Sequence, residues 1–345
     1  MRVLNAFRRV CSKYIVYKLF NTSMILLYHR VADLESDPQL LSVSMDNFRE
    51  QMQFLKTRFT LLSLSELPER IKDRSVPDNS VVITFDDGYA DNLYNAKPVL
   101  QEFNIPATVF VTSEMIGTKR EFWWDDLERM ILLAESLPEC LTLKINDRLY
   151  SWDIGESTDD RFHAEKYREW DVTMADSPTA RHVVYRELCD LVRPVDHMAR
   201  KRILDEVSDW ADLKGRSRTD YRPMSSEEIR ALAEGGLIEV GGHTQSHPVL
   251  SALTHEEQVW EIQRNKRELE AILGRPVTIF SYPYGGRSDY NAESVAVVRE
   301  AGFTCACSNF EGQVGWWTDR FQLPRFLIRN WNGDEFARRM KRFHG

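Results

Sequence analysis

Short apolar runs alternate along the chain with stretches whose apolar positions recur at helical spacing, a pattern that predicts an α/β protein with parallel strands. Seven runs are candidate strands: 24–28, 81–85, 107–111, 237–240, 277–281, 303–308 and 326–328. Seven is too many for a small module and suits a barrel. The run Val81 to Phe85 is apolar and β-branched without polar alternation, as a strand covered on both faces must be. One helix is bounded by its own chemistry: Thr254 and Glu257 form a capping-box pattern ahead of Val259 and Trp260, and Gly274 and Pro276 stop it. Ser225 and Glu228 repeat the start signal before Ile229.

The pattern changes between 118 and 221. Phe122-Trp123-Trp124-Asp125-Asp126-Leu127 opens a helix-like run, 141–152 looks like a hairpin about Asn146-Asp147, and charged helical sequence follows. This segment is predicted to be an insertion interrupting a barrel that spans 23–345. It begins after the strand 107–111, at a carboxyl end, where barrels carry their active sites, so a lid or a wall of the substrate site is expected. Trp123 and Trp124 are then either platforms for a sugar ring or anchors of the insertion's own core.

Residues 1–22 are the second departure. Arg2, Arg8, Arg9, Lys13 and Lys18 occur with no acid before Asp33, while Val3, Leu4, Phe7, Val10, Cys11, Tyr14 and Ile15 recur near helical period. The expectation is a basic amphipathic helix, resting on an anionic membrane surface or packed on the domain with its charges solvated. No apolar run reaches the ~18 residues of a membrane span, and Lys13 and Lys18 interrupt what a signal peptide would keep apolar. A cytoplasmic protein, at most peripheral to the inner membrane face, is expected.

At 345 residues and 43% hydrophobic composition the chain can bury a large core, and its net charge of −8 offers no electrostatic footprint for nucleic acid. Cys11, Cys140, Cys189, Cys305 and Cys307 are odd in number and lack a C-x-x-C pair, which fits a reduced compartment. Cys305 and Cys307 would share one face of a strand and are expected in the core.

The chemistry begins where the strand 81–85 meets Gly88. Asp86 and Asp87 sit at that transition and point in different directions, so one acid can hold a cation while its neighbour remains free as a base. Far downstream, His243-Thr244-Gln245-Ser246-His247 lies between Gly241-Gly242 and Pro248, which predicts a tight strand-to-loop turn. Asp87, His243 and His247 together offer one carboxylate and two imidazoles, a set suited to Zn²⁺ or another first-row divalent metal. Such an ion polarises a carbonyl and lowers the pKa of bound water to about 7. Asp86 is then the natural proton acceptor. His29, at the end of the first strand, is either the general acid or an ordinary core or surface histidine.

Thr84-Phe85-Asp86-Asp87-Gly88-Tyr89 and His243-Thr244-Gln245-Ser246-His247 resemble the first two motifs of the polysaccharide deacetylase family, carbohydrate esterase family 4, also called the NodB-homology domain. Phe280-Ser281-Tyr282-Pro283-Tyr284-Gly285 resembles its third. The resemblance implies a distorted (β/α) barrel of about seven strands, with Asp86 as general base, Asp87, His243 and His247 as metal ligands, and the backbone N–H of Tyr284 as an oxyanion donor. Where the family's third motif often carries an arginine that orients the base, this chain has Ser281; Arg325, in Leu323-Pro324-Arg325, is the expected substitute. The family's late histidine motif is not recognisable after Phe326. Instead Leu27-Tyr28-His29-Arg30-Val31 resembles the N-terminal motif of the circularly permuted branch, which includes poly-N-acetylglucosamine deacetylases, and there this histidine is the acid.

The implied activity is metal-dependent removal of an N-acetyl group from an amino sugar in a glycan or glycan precursor during surface-polysaccharide assembly, with Trp123, Trp124 and Tyr89 as candidate substrate contacts. The same site could instead act on an N-formyl sugar, an O-acetyl ester or a small amide. A carbohydrate-binding protein on the same barrel would have no use for the base.

Overall fold

The computed structural model of the chain describes residues 21–155 and 164–344, so the helix expected over 1–22 lies outside the described residues except at its last two positions. The chain forms two compact units. One comprises residues up to 33, 42–114 and 226 onward; the other comprises 34–41 and 115–225.

The first unit is built on one parallel sheet. Its strands are β1 (Ser23–Tyr28), β2 (Thr60–Leu62), β3 (Ser80–Phe85), β4 (Ala107–Val111), β5 (Ile238–Gly242), β6 (Ile279–Ser281), β7 (Cys305–Cys307) and β8 (Phe326–Leu327). In space they run β7-β6-β5-β4-β3-β1-β8, with β2 paired to the first half of β3. This is the half-barrel of parallel strands, flanked by helices, that the alternating pattern predicts. All seven expected strands are present; β2 is the addition. It is three residues long and Thr60 is exposed, so it never makes an apolar run. Every residue of β1 and β3 is buried, which is why their sequences show no alternation. Cys305 and Cys307 lie in the core as expected.

Register aligns the strand ends. Tyr28 pairs with Phe85 and Val111 with Gly242, so the residues that follow, His29, Asp86 and His243, emerge at one edge of the sheet. The helix Met45–Arg58 starts at Ser44, whose side chain accepts the Asn47 N–H. The helix His255–Leu273 begins with the Thr254/Glu257 capping box and ends at Gly274, whose φ of 66° is the left-handed cap that glycine adopts without strain.

The second unit has its own core. Cys140–Ile145 and Arg148–Asp153 form the expected antiparallel hairpin, with Asn146 and Asp147 at φ 48° and 63°, as a two-residue turn of matching twist requires. Leu141, Leu143 and Ile145 face a cluster shared with the helices Ala180–Val192 and His197–Trp210. Trp124 is buried and stacks on Phe122 at 5.0 Å, and Trp123 packs against the same cluster. For Trp124 the sugar-platform reading is therefore replaced by the core-anchor reading, because its ring is buried against Phe122, while Trp123 is partly buried against the unit's apolar cluster.

His182 gives this unit a pH dependence. Only 2% exposed, it sits against the rings of Tyr167 and Trp170, with Nδ1 2.7 Å from Thr179 Oγ1. Burial, reinforced by Arg181 and Arg186, pulls its pKa down to about 4. Folding thus favours the neutral ring, a contribution fully present above the ordinary value of about 6.5 and lost as pH falls towards 4. Between pH 7 and 4 the wild type is expected to lose on the order of 3 kcal/mol more stability than His182→Gln. Denaturant titrations of both proteins at the two pH values test this; equal losses would reject it.

Candidate active site

Two adjacent acids are aimed apart by one backbone reversal. Asp86 N–H donates to the Tyr28 carbonyl at 3.0 Å, continuing the sheet by one residue. Asp87 then adopts φ 75° and Gly88 φ 85°. A side chain at Gly88 would press on Val111, its Cβ 3.1 Å from both methyls, so both conformation and space select glycine there.

The histidine loop is held from behind by one helix. Gly241 admits no side chain, because a Cβ there would lie 2.5 Å from the Phe110 ring. Asn265 accepts the His243 N–H at 3.1 Å and donates to the Val111 carbonyl at 2.9 Å, tying the ends of β4 and β5 together. Glu261, four residues earlier on the same helix face, accepts the Ser246 N–H and hydroxyl at 2.9 and 2.6 Å. Thr244 and His247 have φ of 62° and 57°, and Thr244 Oγ1 accepts the His247 N–H. Neither Asn265 nor Glu261 was anticipated. The signal available was two polar residues on the apolar stripe of a helix, where burial demands partners.

These supports bring Asp87, His243 and His247 together, all buried, with one ligand atom of each within 4.8 Å of the others. Asp87 Oδ1 lies 3.5 Å from His243 Nε2 and 3.3 Å from His247 Nε2. Asp87 Oδ1 is buried without a hydrogen-bond partner, a costly arrangement for a carboxylate oxygen and a natural one for a ligand atom. His243 Nδ1 is 2.8 Å from the Ser281 carbonyl, which fixes the tautomer that turns the Nε2 lone pair toward Asp87. The electrostatics agree. Burial alone would raise the pKa of Asp87, but His243 and His247 hold it well below the carboxylate range; burial would lower that of His243, yet Asp86 and Asp87 raise it. The spot stabilises positive charge, and the donor set fits a divalent first-row ion.

Asp86 is set beside this group and facing another partner. Arg325, fully buried, donates from Nη1 to Oδ1 at 2.8 Å and from Nη2 to Oδ2 at 2.7 Å, a fork that fixes the carboxylate in orientation. Arg325 is itself anchored by the Ser308 carbonyl, Thr84 Oγ1 and Ser281 Oγ. Ser281 also donates to Asp86 Oδ2 at 3.3 Å, so the position where the resemblance leads one to expect arginine instead braces the arginine that arrives from elsewhere. Burial pushes the Asp86 pKa up, but Arg325 and then His243 outweigh it, and the group stays ionised near neutral pH.

His29 follows β1 directly and is half-buried, its carbonyl accepting from Asn92 Nδ2 at 2.9 Å. Burial lowers its pKa, against the opposing pull of Asp87 and Asp86. Tyr284 has φ 59° and places its ring 4.6 Å from that of His247, edge to face. Tyr89, expected at the substrate, is instead fully buried with the Arg30 guanidinium 4.5 Å from its ring centroid. Arg30 in turn pairs with buried Asp91 at 2.9 Å, so Tyr89 packs a buried ion pair beneath the loop and has no face for a ligand.

A family model described as polysaccharide deacetylase matches residues 73–132 and 207–306. The putative polysaccharide deacetylase YxkH of Bacillus subtilis is 32% identical over 108 residues, 31% of this chain and 37% of its own length. The poly-β-1,6-N-acetyl-D-glucosamine N-deacetylase of Staphylococcus epidermidis is 34% identical over 113 residues, 28% of this chain and 38% of its own. The chain thus spans less than two-fifths of each of these curated relatives. Among solved structures, the Streptococcus pyogenes deacetylase PplD in complex with acetate shares the fold, with a TM-score of 0.57 over 92% of this chain and 97% of that one at 15% identity.

Proposed function

Since the chain belongs to the polysaccharide deacetylase family, we propose that it hydrolyses the N-acetyl group of an amino sugar within a glycan, N-acetylglucosamine polymers being the leading class, during surface-polysaccharide assembly. One observation carries the reading: an ionised carboxylate, Asp86, is gripped by Arg325 immediately beside a buried Asp-His-His cluster. A binding protein needs no such base.

Asp87, His243 and His247 would hold a divalent ion, zinc being best suited to the set; when bound it polarises the amide carbonyl and acidifies water. Asp86 takes the proton of the water that adds to the carbonyl carbon. Arg325 keeps that carboxylate ionised and immobile, so no reorganisation is required at the moment of transfer. As the carbon–nitrogen bond breaks, His29 delivers a proton to the departing amine and acetate is left. The backbone N–H of Tyr284 donates to the oxygen that gains charge, a role that leaves its side chain replaceable.

The test is acetate release from N-acetylglucosamine oligomers, from nucleotide-linked N-acetyl sugars and from O-acetyl esters, with metal content measured on the same preparations. Turnover of esters but of no amide would overturn the reading. In that assay His29→Ala is expected to lower kcat by roughly 10²- to 10⁴-fold with metal content unchanged. Activity equal to wild type would place the acid elsewhere.

A further inference from the structure

The end of the first unit opposite the candidate site gathers features that the hydrolysis does not use. Ser23, the first residue of β1, exchanges backbone hydrogen bonds with Val314, 2.8 Å in each direction, and Thr22 bonds Gln313. Gln313 also donates to the carbonyls of Phe343 and His344, at the end of the helix Gly333–His344. The entry of the chain into β1, the turn after Val314 and the end of the last helix therefore meet at one place. Directly beyond it, Gly315 and Thr318 close a turn with hydrogen bonds of 2.9 Å in both directions. That turn presents Trp316 and Trp317, 40% and 37% exposed, with ring centroids 5.8 Å apart.

Charge accumulates at the same end. Arg74 lies over the Trp316 ring at 4.5 Å, and Lys341 and Arg342, in the last turn of the helix, are exposed. Asp319 and Glu311, the acids nearest in sequence to the tryptophans, keep their charge, Asp319 accepting from the Phe321 N–H and the Gln322 amide. A local basic surface on a chain of net charge −8 is an asymmetry that attracts an anionic partner.

We propose that this face docks on an anionic lipid bilayer, with Trp316 and Trp317 entering the headgroup region and Arg74, Lys341 and Arg342 meeting the lipid phosphates. Paired indoles beside basic side chains suit that interface, where one end of each ring is apolar and the other wet. Among the described residues no helix is long and apolar enough to cross a membrane. β1 rises about 3.3 Å per residue, so the site at its carboxyl end stands roughly 17 Å from this face. The proposal is independent of the reaction assigned above.

The test uses the full chain with extruded vesicles of phosphatidylcholine alone and of phosphatidylcholine with 25% phosphatidylglycerol. Co-sedimentation is expected only with the anionic vesicles and is expected to weaken at least tenfold between low and high salt. Trp316→Ser with Trp317→Ser should reduce the bound fraction at least fivefold, and Lys341→Glu with Arg342→Glu should remove most of the salt-sensitive part. Brominated-chain lipids should quench tryptophan emission in the wild type and much less in the tryptophan variant. Melting temperatures and acetate release from a soluble substrate serve as folding controls and should match wild type. Equal partition of the folded tryptophan variant and wild type would overturn the proposal, as would binding that ignores lipid charge. So would association of this face with a protein while vesicles remain unbound.

Discussion

Asp86→Asn is expected to lower acetate release by roughly 10²- to 10⁴-fold while leaving metal content unchanged. The two halves of this expectation come from different atoms. Asparagine keeps one acceptor oxygen for Arg325, replaces the other by an amide N–H2 that cannot accept from it, and cannot hold a proton, so one arm of the fork and the proton transfer are both lost. Asp87, not Asp86, faces both imidazoles at 3.3–3.5 Å, so the cluster keeps its carboxylate. Arg325 is left with the Ser308 carbonyl and two hydroxyls, which limits the cost of removing its counter-charge. Metal analysis and acetate release on one preparation separate these effects. Loss of both metal and activity would mean that Asp86 is a ligand and not the base.

Metal removal is the second large effect. Chelation is expected to abolish turnover nearly completely and to lower the melting temperature, and Asp87→Ala is expected to reproduce both in a protein that no longer takes up a divalent metal. The stability change has a cause in the cluster itself. Three buried groups lie within 4.8 Å of one another, with Asp87 Oδ1 lacking a hydrogen-bond partner, so an ion that satisfies them stabilises the fold by its own binding free energy. Differential scanning calorimetry with and without chelator, followed by re-addition of single metals, checks this. An unchanged melting temperature on chelation would show that the three residues do not hold an ion.

The sheet was legible because a strand buried on both faces must be apolar throughout, and β1 and β3 are. The metal-ligand candidates were legible because they sit in compact motifs next to glycines. The partner of Asp86 was harder to find, since Arg325 is 239 residues away in sequence and only the register of the sheet brings it near. Asn265 and Glu261 escaped for a similar reason: most of their partners are backbone groups more than ten residues away, so only their polar character on a helix's apolar stripe marked them. The aromatic residues misled in the other direction. A tryptophan that stacks on a sugar and one that fills a core have the same neighbours in sequence, and Trp124 and Tyr89 prove to be packing residues.

Asp87, Thr244, His247 and Tyr284 all occupy the left-handed backbone region. For residues with a side chain this conformation costs about 1–2 kcal/mol each. Glycine would relieve that cost at every one of the four positions, and at Asp87 and His247 it would delete a ligand. With an ion bound, its binding free energy outweighs that relief at Asp87 and His247, so a heat selection run with metal present keeps both residues. Run under chelation, the same selection has nothing to hold them and drifts toward glycine, which makes metal supply in the growth medium the condition that decides whether hardened variants still turn over.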